Sequence, residues 1–274
     1  MNSRKHWLTL PGVSVLFVFA VAPLFIMLYY SFQGDGASQG LTFEHYIRFF
    51  ERPFYWSLTW RTIVNSFYVT MISLIISYPL AYIMAKKLKG LRNIILVLII
   101  IPFFTNQLVR VYSWLIFLQD GGVFENFLSA VGLVEGSLGI LFTRTAVIIG
   151  LVHAFFPYMA IAIYLSLEKL DNSLLEASES LGASAFSTFR RITLPLSKPG
   201  VAAGLLLVFV PCLGTFVEPR ILGGVDGTVI GTVIEDQFFR IYGWNFGAAI
   251  AFLLLAMVLL SIGILTRIGK EKQE

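Results

Sequence analysis

With 57% of its 274 residues hydrophobic and only 13% charged, the chain cannot be a water-soluble domain, since such domains carry about 25% charged residues. Its net charge of +4 is too small and too scattered to suggest nucleic-acid binding. The one cysteine, Cys212, can form no internal disulfide and suits packing, and His6, His45 and His153 have no partners at metal-ligand spacing.

A helix that crosses a bilayer needs roughly 20 mostly apolar residues, and six runs meet that length: residues 7–32, 63–85, 94–118, 145–167, 201–222 and 244–266. Runs such as IILVLIII, residues 94–101, do not alternate as barrel strands do, so the chain is expected to be an all-α membrane protein with six transmembrane helices. It reads as a single transmembrane domain over residues 1–274, with a cytoplasmic segment at 168–200. The first run has Arg4 and Lys5 before it and a small-residue Ala20-Val21-Ala22 stretch. Its apolar character nevertheless continues through Pro23 to Phe32, beyond a signal-peptide core, so it is expected to stay as an anchor. Tyr55, Trp56, Trp60, Trp114 and Trp244 fit an aromatic belt at the membrane interface.

Lys and Arg accumulate on the cytoplasmic side of short loops. With the N-terminus inside, Arg4, Lys5, Lys86, Lys87, Lys89, Arg92, Lys169, Arg190, Arg191, Lys198, Arg267, Lys270 and Lys272 are cytoplasmic. Arg48, Arg52, Arg61, Arg144, Arg220 and Arg240 lie opposite, and Arg110 falls within a span, where a structural role in the bundle is expected. Both termini are therefore expected in the cytoplasm. No GxxxxGK[ST], HExxH or nucleophile elbow occurs, so neither ATP hydrolysis through a P-loop nor enzymatic catalysis is expected of this chain.

The polar insert LLEASESLGASAFSTFRRITLP, residues 174–195, interrupts this apolar pattern on the cytoplasmic side. Ser173 and Glu176 have the form of a capping box, which predicts a helix starting there. Gly182 supplies the left-handed residue that ends it. A second short helix is expected near 184–192, closed by Pro195. Gly200 and Gly204 form a small-xxx-small pattern for close packing against a helix of this chain or of another.

Taken with its spacing, the insert resembles the EAA---G---------I-LP signature of ABC importer permeases: Glu176 and Ala177, then Gly182, then Ile192, Leu194 and Pro195. Ser178 departs from the second alanine. Further stretches, IPFFTNQLVRVY at 101–112, AVIIGLV at 146–152, LEKLD at 167–171 and WNFGAA at 244–249, are similar to the first permease subunits of bacterial spermidine/putrescine importers. The resemblance implies a bacterial inner-membrane permease that moves polyamines and docks on separate ATPase subunits. The docking residues it implies are Glu176, Ala177, Ser178, Leu181, Gly182, Ala183, Ile192, Leu194 and Pro195. It also implies a second, related permease and an extracytoplasmic substrate-binding protein, with ATP and Mg held by the ATPase and no cofactor in this chain. An importer of another small solute, or a self-sufficient secondary transporter, is the alternative.

A polyamine is an extended cation, so its path calls for carboxylates and aromatic faces. Phe216 and Glu218, where the fifth run ends, and Asp226 in the loop beyond are the candidates. Glu218 instead has an ion pair with Arg220, or exposure in the loop, as its plainer role. Asp226, Glu235 and Asp236 are also available to a binding protein, or simply solvated.

Overall fold

The computed structural model describes residues 12, 14, 15, 17–35, 40–88 and 90–270, with side chains placed as far as Gly263. Its helices are α1 (Ala22–Phe32), α2 (Glu44–Glu51), α3 (Pro53–Tyr82), α4 (Arg92–Ile100), α5 (Gln107–Leu118), α6 (Val123–Ala130) and α7 (Arg144–Glu168). They continue as α8 (Asn172–Ser180), α9 (Ala185–Thr188), α10 (Leu194–Gly214), α11 (Val217–Leu222), α12 (Ile230–Phe239) and α13 (Trp244–Lys270). Wider π-turns precede α1, at Phe17–Val21, close α3, at Ile83–Lys87, and join α9 to α10, at Phe189–Thr193.

Among the described residues four helical stretches are long and apolar enough to cross a membrane: Pro53–Lys87, Arg144–Glu168, Ala185–Gly214 and Trp244–Gly263. A fifth arises if Arg92–Phe104 and Gln107–Ala130, bent by 98°, form one broken span. Phe17–Phe32 is apolar but shorter, and the beginning of the expected first span lies outside the described residues.

The expected span at 94–118 is thus not one straight helix. Pro102 has no N–H to continue the α-helical ladder, and the chain tightens into a 3-10 turn at Ile101–Phe104. Asn106 then starts α5 afresh by accepting the Leu108 N–H at 2.8 Å. Arg110 reaches back across the break to the Pro102 carbonyl at 3.3 Å.

The fifth run is corrected in a similar way. Helix begins well before residue 201 and stops at Gly214, and Thr215 is extended, so Val217–Leu222 is a separate short helix. The unwound step lies between Pro211 and Pro219. The loop expected after it contains α12, on which Glu235 and Asp236 sit.

The chain divides into two compact units, Met1–Ser57 with Val233–Met257, and Leu58–Thr232 with Val258–Glu274. In the first, Phe49 stacks on Tyr55 at 5.7 Å and Tyr55 meets the Phe246 ring at 5.1 Å. The Arg48 guanidinium lies over the Phe246 ring, 4.4 Å from its centroid. Tyr55 is therefore a core residue and not part of an interface belt, while Trp56, Trp60 and Trp244 are exposed. His45 is buried, its Nε2 2.9 Å from the Gln33 carbonyl.

The second unit is centred on α7. Val147, Leu151, Met159, Ile163, Tyr164 and Leu167 pack with Val69 and Ala81 of α3, Ile99 of α4, and Val208 and Cys212 of α10. One stripe of α3 is polar yet buried: Thr59, Thr62, Ser66, Thr70, Ser73 and Ser77 recur at three- and four-residue spacing. Small hydroxyls allow close approach, and Thr62, Thr70 and Ser77 donate to carbonyls, Thr70 to Ser66 at 2.6 Å and Ser77 to Phe156 at 3.1 Å, whereas the hydroxyls of Thr59, Ser66 and Ser73 have no hydrogen-bond partner among the described residues. Gly200 and Gly204 meet α7 of the same chain, which resolves the partner left open by the sequence: a Cβ on Gly204 would stand 2.5 Å from Met159 Sδ.

Candidate functional site: the cytoplasmic insert and the Glu218 break

Two polar constellations lie in the second unit. The first is the insert, where Asp171 rather than Ser173 caps α8, accepting the Ser173 N–H at 3.0 Å. The predicted capping box is thus displaced by an aspartate two residues upstream, a better cap because it is charged at the positive end of the helix. The Ser173 N–H, its hydroxyl and the nearby Lys86 ammonium hold the Asp171 carboxyl below its ordinary value. Freed from capping, Glu176 is exposed on α8 beside Ala177.

Gly182 ends α8 with φ +79°. The Ala183 N–H returns to Ser178 O at 3.1 Å and the Gly182 N–H to Glu179 O at 2.9 Å, the paired bonds of a Schellman motif. Ser178, the departure from the second alanine, does not face solvent alone: its Oγ lies 2.9 Å from Thr188 Oγ1, clipping α8 to α9. Leu181 and Phe186 are 88% and 72% exposed, so this polar segment offers two apolar side chains that the described residues leave uncovered.

Pro195 does not end the second helix. The Leu194 N–H reaches Phe189 O, five residues back, and this wider turn carries the helix from α9 into α10 with Pro195 near its start. A proline ring would collide with the carbonyl four residues before it in α-geometry, and the π-turn removes that conflict. Ile192 and Pro195 are half-buried and Leu194 is exposed in this junction.

Residues that sequence reasoning did not assign fasten the insert to the spans. Lys86 donates to Leu170 O at 2.7 Å and to Asn172 Oδ1 at 2.9 Å, and Arg92 pairs with Glu168 at 2.7 Å. The Tyr78 hydroxyl lies 2.8 Å from Ser197 Oγ, and Phe189 stands edge-on to Tyr78 and Tyr82. Lys86 and Arg92 were counted only as markers of topology, because their partners are distant in sequence.

The second constellation surrounds Glu218, which is 1% exposed. It neither pairs with Arg220 nor faces water. Gln107 Nε2 donates to its Oε1 at 3.1 Å and Thr215 Oγ1 to its Oε2 at 2.9 Å, whereas Arg220 donates to Thr232 O at 3.1 Å. Gln107 is the first residue of α5 and Thr215 lies in the unwound step before α11, so one carboxylate joins the two broken helices. The positive end of α5 suits that charge. Gly150 admits α11 closely: a Cβ there would lie 2.7 Å from Leu222 Cδ1 and 3.8 Å from Glu218 Cγ.

Phe216 caps the same step and is partly exposed. Asp226 is not brought to Glu218. It sits on an exposed turn whose backbone is tied to α3, its carbonyl accepting from Arg61 and the Ile230 N–H reaching Thr62 Oγ1 at 3.0 Å. Among the described residues no three His, Cys, Asp or Glu side chains converge as a metal site would require.

Residues 77–271 match the binding-protein-dependent transport system inner membrane component family. The spermidine/putrescine transport system permease protein PotB of Haemophilus influenzae is 38% identical, over 98% of this chain and 96% of that protein. Its Escherichia coli counterpart is 39% identical over 88% of each. Among solved structures, a bacterial ABC transporter involved in the import of the acidic polysaccharide alginate shares the fold, with a TM-score of 0.79 at 19% identity over 98% of this chain and 96% of that one. The chain belongs to the binding-protein-dependent transport system inner membrane components, the multi-pass permease subunits of ABC importers.

Proposed function

We propose that the chain is a translocation-path permease of a polyamine importer, coupled to a separate ATPase through residues 172–195. The observation that carries the substrate class is the 38% identity to a spermidine/putrescine permease across 98% of the chain. Importers of the same fold take quite different cargo, as the acidic polysaccharide transporter illustrates, so fold alone does not choose a substrate.

The buried Glu218 side chain is held by two neutral donors and has no cationic side chain bonded to it among the described residues. An ammonium group of an extended polyamine supplies such a cation, with the Phe216 face beside it for a methylene or a second ammonium. Gln107 is itself exposed, so its movement is the step that opens Glu218 to a cation. Asp226 belongs to the approach rather than to this contact.

In this reading a soluble binding protein delivers the cation to the outer face, and the path runs between this chain and a second, related permease. Two ATPase subunits, holding ATP and Mg, close beneath the cytoplasmic insert. Glu176, Ala177, Leu181 and Gly182 meet them on the α8 side. Ser178 and Ala183 hold the bend, and Ile192, Leu194 and Pro195 pass the movement to α10. The chain itself is non-catalytic, and both termini are cytoplasmic.

The test is labelled spermidine uptake in cells lacking the chain, with its partners expressed and either wild type or Glu176→Lys restored at equal membrane levels. Wild-type rescue with loss in the variant is expected. Failure of both to restore uptake removes polyamines as cargo, and equal rescue by both removes Glu176 from the coupling surface.

A further inference from the structure

The end of one span holds the cytoplasmic insert at both of its ends. At the start, Lys86 in the π-turn after α3 bonds Leu170 O, just beyond the last turn of α7, and Asn172 Oδ1, at the first residue of α8. A lysine at the cytoplasmic end of a span ordinarily extends toward water and lipid headgroups. This one turns back onto two neutral acceptors, which makes the contact directional as well as electrostatic. The Leu88 N–H bonds Ile83 O, five residues back, and the extra residue in that turn sets the direction in which Lys86 projects.

At the far end, two turns earlier on the same helix, the Tyr78 hydroxyl lies 2.8 Å from Ser197 Oγ. The Phe189 ring stands 5.6 Å from Tyr78 and 6.3 Å from Tyr82, nearly perpendicular to both. Side chains near the end of α3 thus contact both ends of the insert. The Ser178–Thr188 hydroxyl contact joins α8 to α9 at the bend.

We propose that Lys86 is a positioning residue for energy coupling, through which the cytoplasmic end of α3 receives the movement that ATPase subunits impose on α8. The proposal rests on the reading of the insert as the ATPase-docking segment. Tyr78 and Phe189 form the second point of the same lever.

The test uses the complete importer in proteoliposomes, comparing wild type with Lys86→Met, Lys86→Arg and Tyr78→Phe. Spermidine accumulated per ATP hydrolysed is measured beside amide hydrogen exchange over residues 173–181. Lys86→Met is expected to lower the ratio about tenfold, within the range of ordinary coupling free energies. Exchange in α8 should quicken, and Lys86→Arg should recover part of both effects. An unchanged ratio, or equal losses of transport and hydrolysis, overturns the proposal.

Should Lys86→Met fail to assemble, Tyr78→Phe decides, because it removes only a hydroxyl contact; an unaltered ratio there also overturns it. If the wild type carries no spermidine, the substrate reading falls, and stimulation of ATP hydrolysis by the binding protein replaces the ratio. Loss of that stimulation in Lys86→Met supports the lever and its retention overturns it. Normal hydrolysis and stimulation in Glu176→Lys removes the docking reading separately, and with it the lever.

Discussion

Glu218 is the residue where charge, burial and chain geometry meet, and its two neutral donors separate its roles. Glu218→Gln keeps an acceptor for Gln107 and leaves the volume unchanged, so assembly and thermal stability should match wild type. Initial-rate uptake of a cationic solute should nonetheless fall roughly tenfold, about 1.4 kcal/mol. Glu218→Leu removes the acceptor from both donors and should destabilise the chain by about 1–3 kcal/mol, mainly through Thr215, because the exposed Gln107 amide can turn to water. Wild-type uptake in the Gln variant would show that the carboxylate only joins α5 to α11. The sequence singled out Glu218 as a candidate but gave it Arg220 as a partner, where the structure gives it Gln107 and Thr215. Gln107 lies 111 residues away, and no periodicity within either run connects them. Asp171 was legible as part of a polar turn, yet whether it or Ser173 caps depends on a one-turn choice that backbone geometry makes.

At the scale of elements, the contact between α7 and α10 shows why small residues were needed. A Cβ on Gly200 would collide with Ser166 Cβ and lie 2.7 Å from the Ala162 carbonyl, which is backbone and cannot step aside. A Cβ on Gly204 meets the flexible end of Met159 instead. Gly200→Ala should therefore cost about 1–3 kcal/mol by overpacking, and Gly204→Ala less. Thermal unfolding in detergent of the two single variants checks that order, and equal or reversed losses would contradict it. The glycine spacing was readable in the sequence; its partner was not. Pro102 and Pro195 make the complementary case. Pro195 was read as closing a helix and Pro102 lay inside an expected span, yet Pro102 breaks its span by 98° while Pro195 is accommodated in a π-turn, and the choice depends on how neighbouring groups take up the freed carbonyls.

For the whole molecule, the distribution of Lys and Arg carries the expectation that the insert lies on the cytoplasmic side and the turn after α11 on the other. Cys212 is the sole cysteine and is buried, so exposed reporters can be introduced in a Cys212→Ser background. Glu179→Cys on α8 should react with a membrane-impermeant thiol reagent only after the inner membrane is opened, whereas Val225→Cys should react in intact spheroplasts. The reverse pattern would invert the topology and remove the insert from reach of a cytoplasmic ATPase.

By itself the sequence determined that the chain is an apolar helical membrane protein, that a polar insert interrupts it, and that Gly182 turns the insert. These follow from composition, run length and the one residue type that adopts φ +79° without strain. Tertiary structure decided where long runs break, which acceptors Lys86 takes, and that Glu218 is enclosed rather than exposed. Those outcomes depend on groups up to 111 residues apart satisfying one another's hydrogen bonds and volumes, a condition that no local pattern encodes.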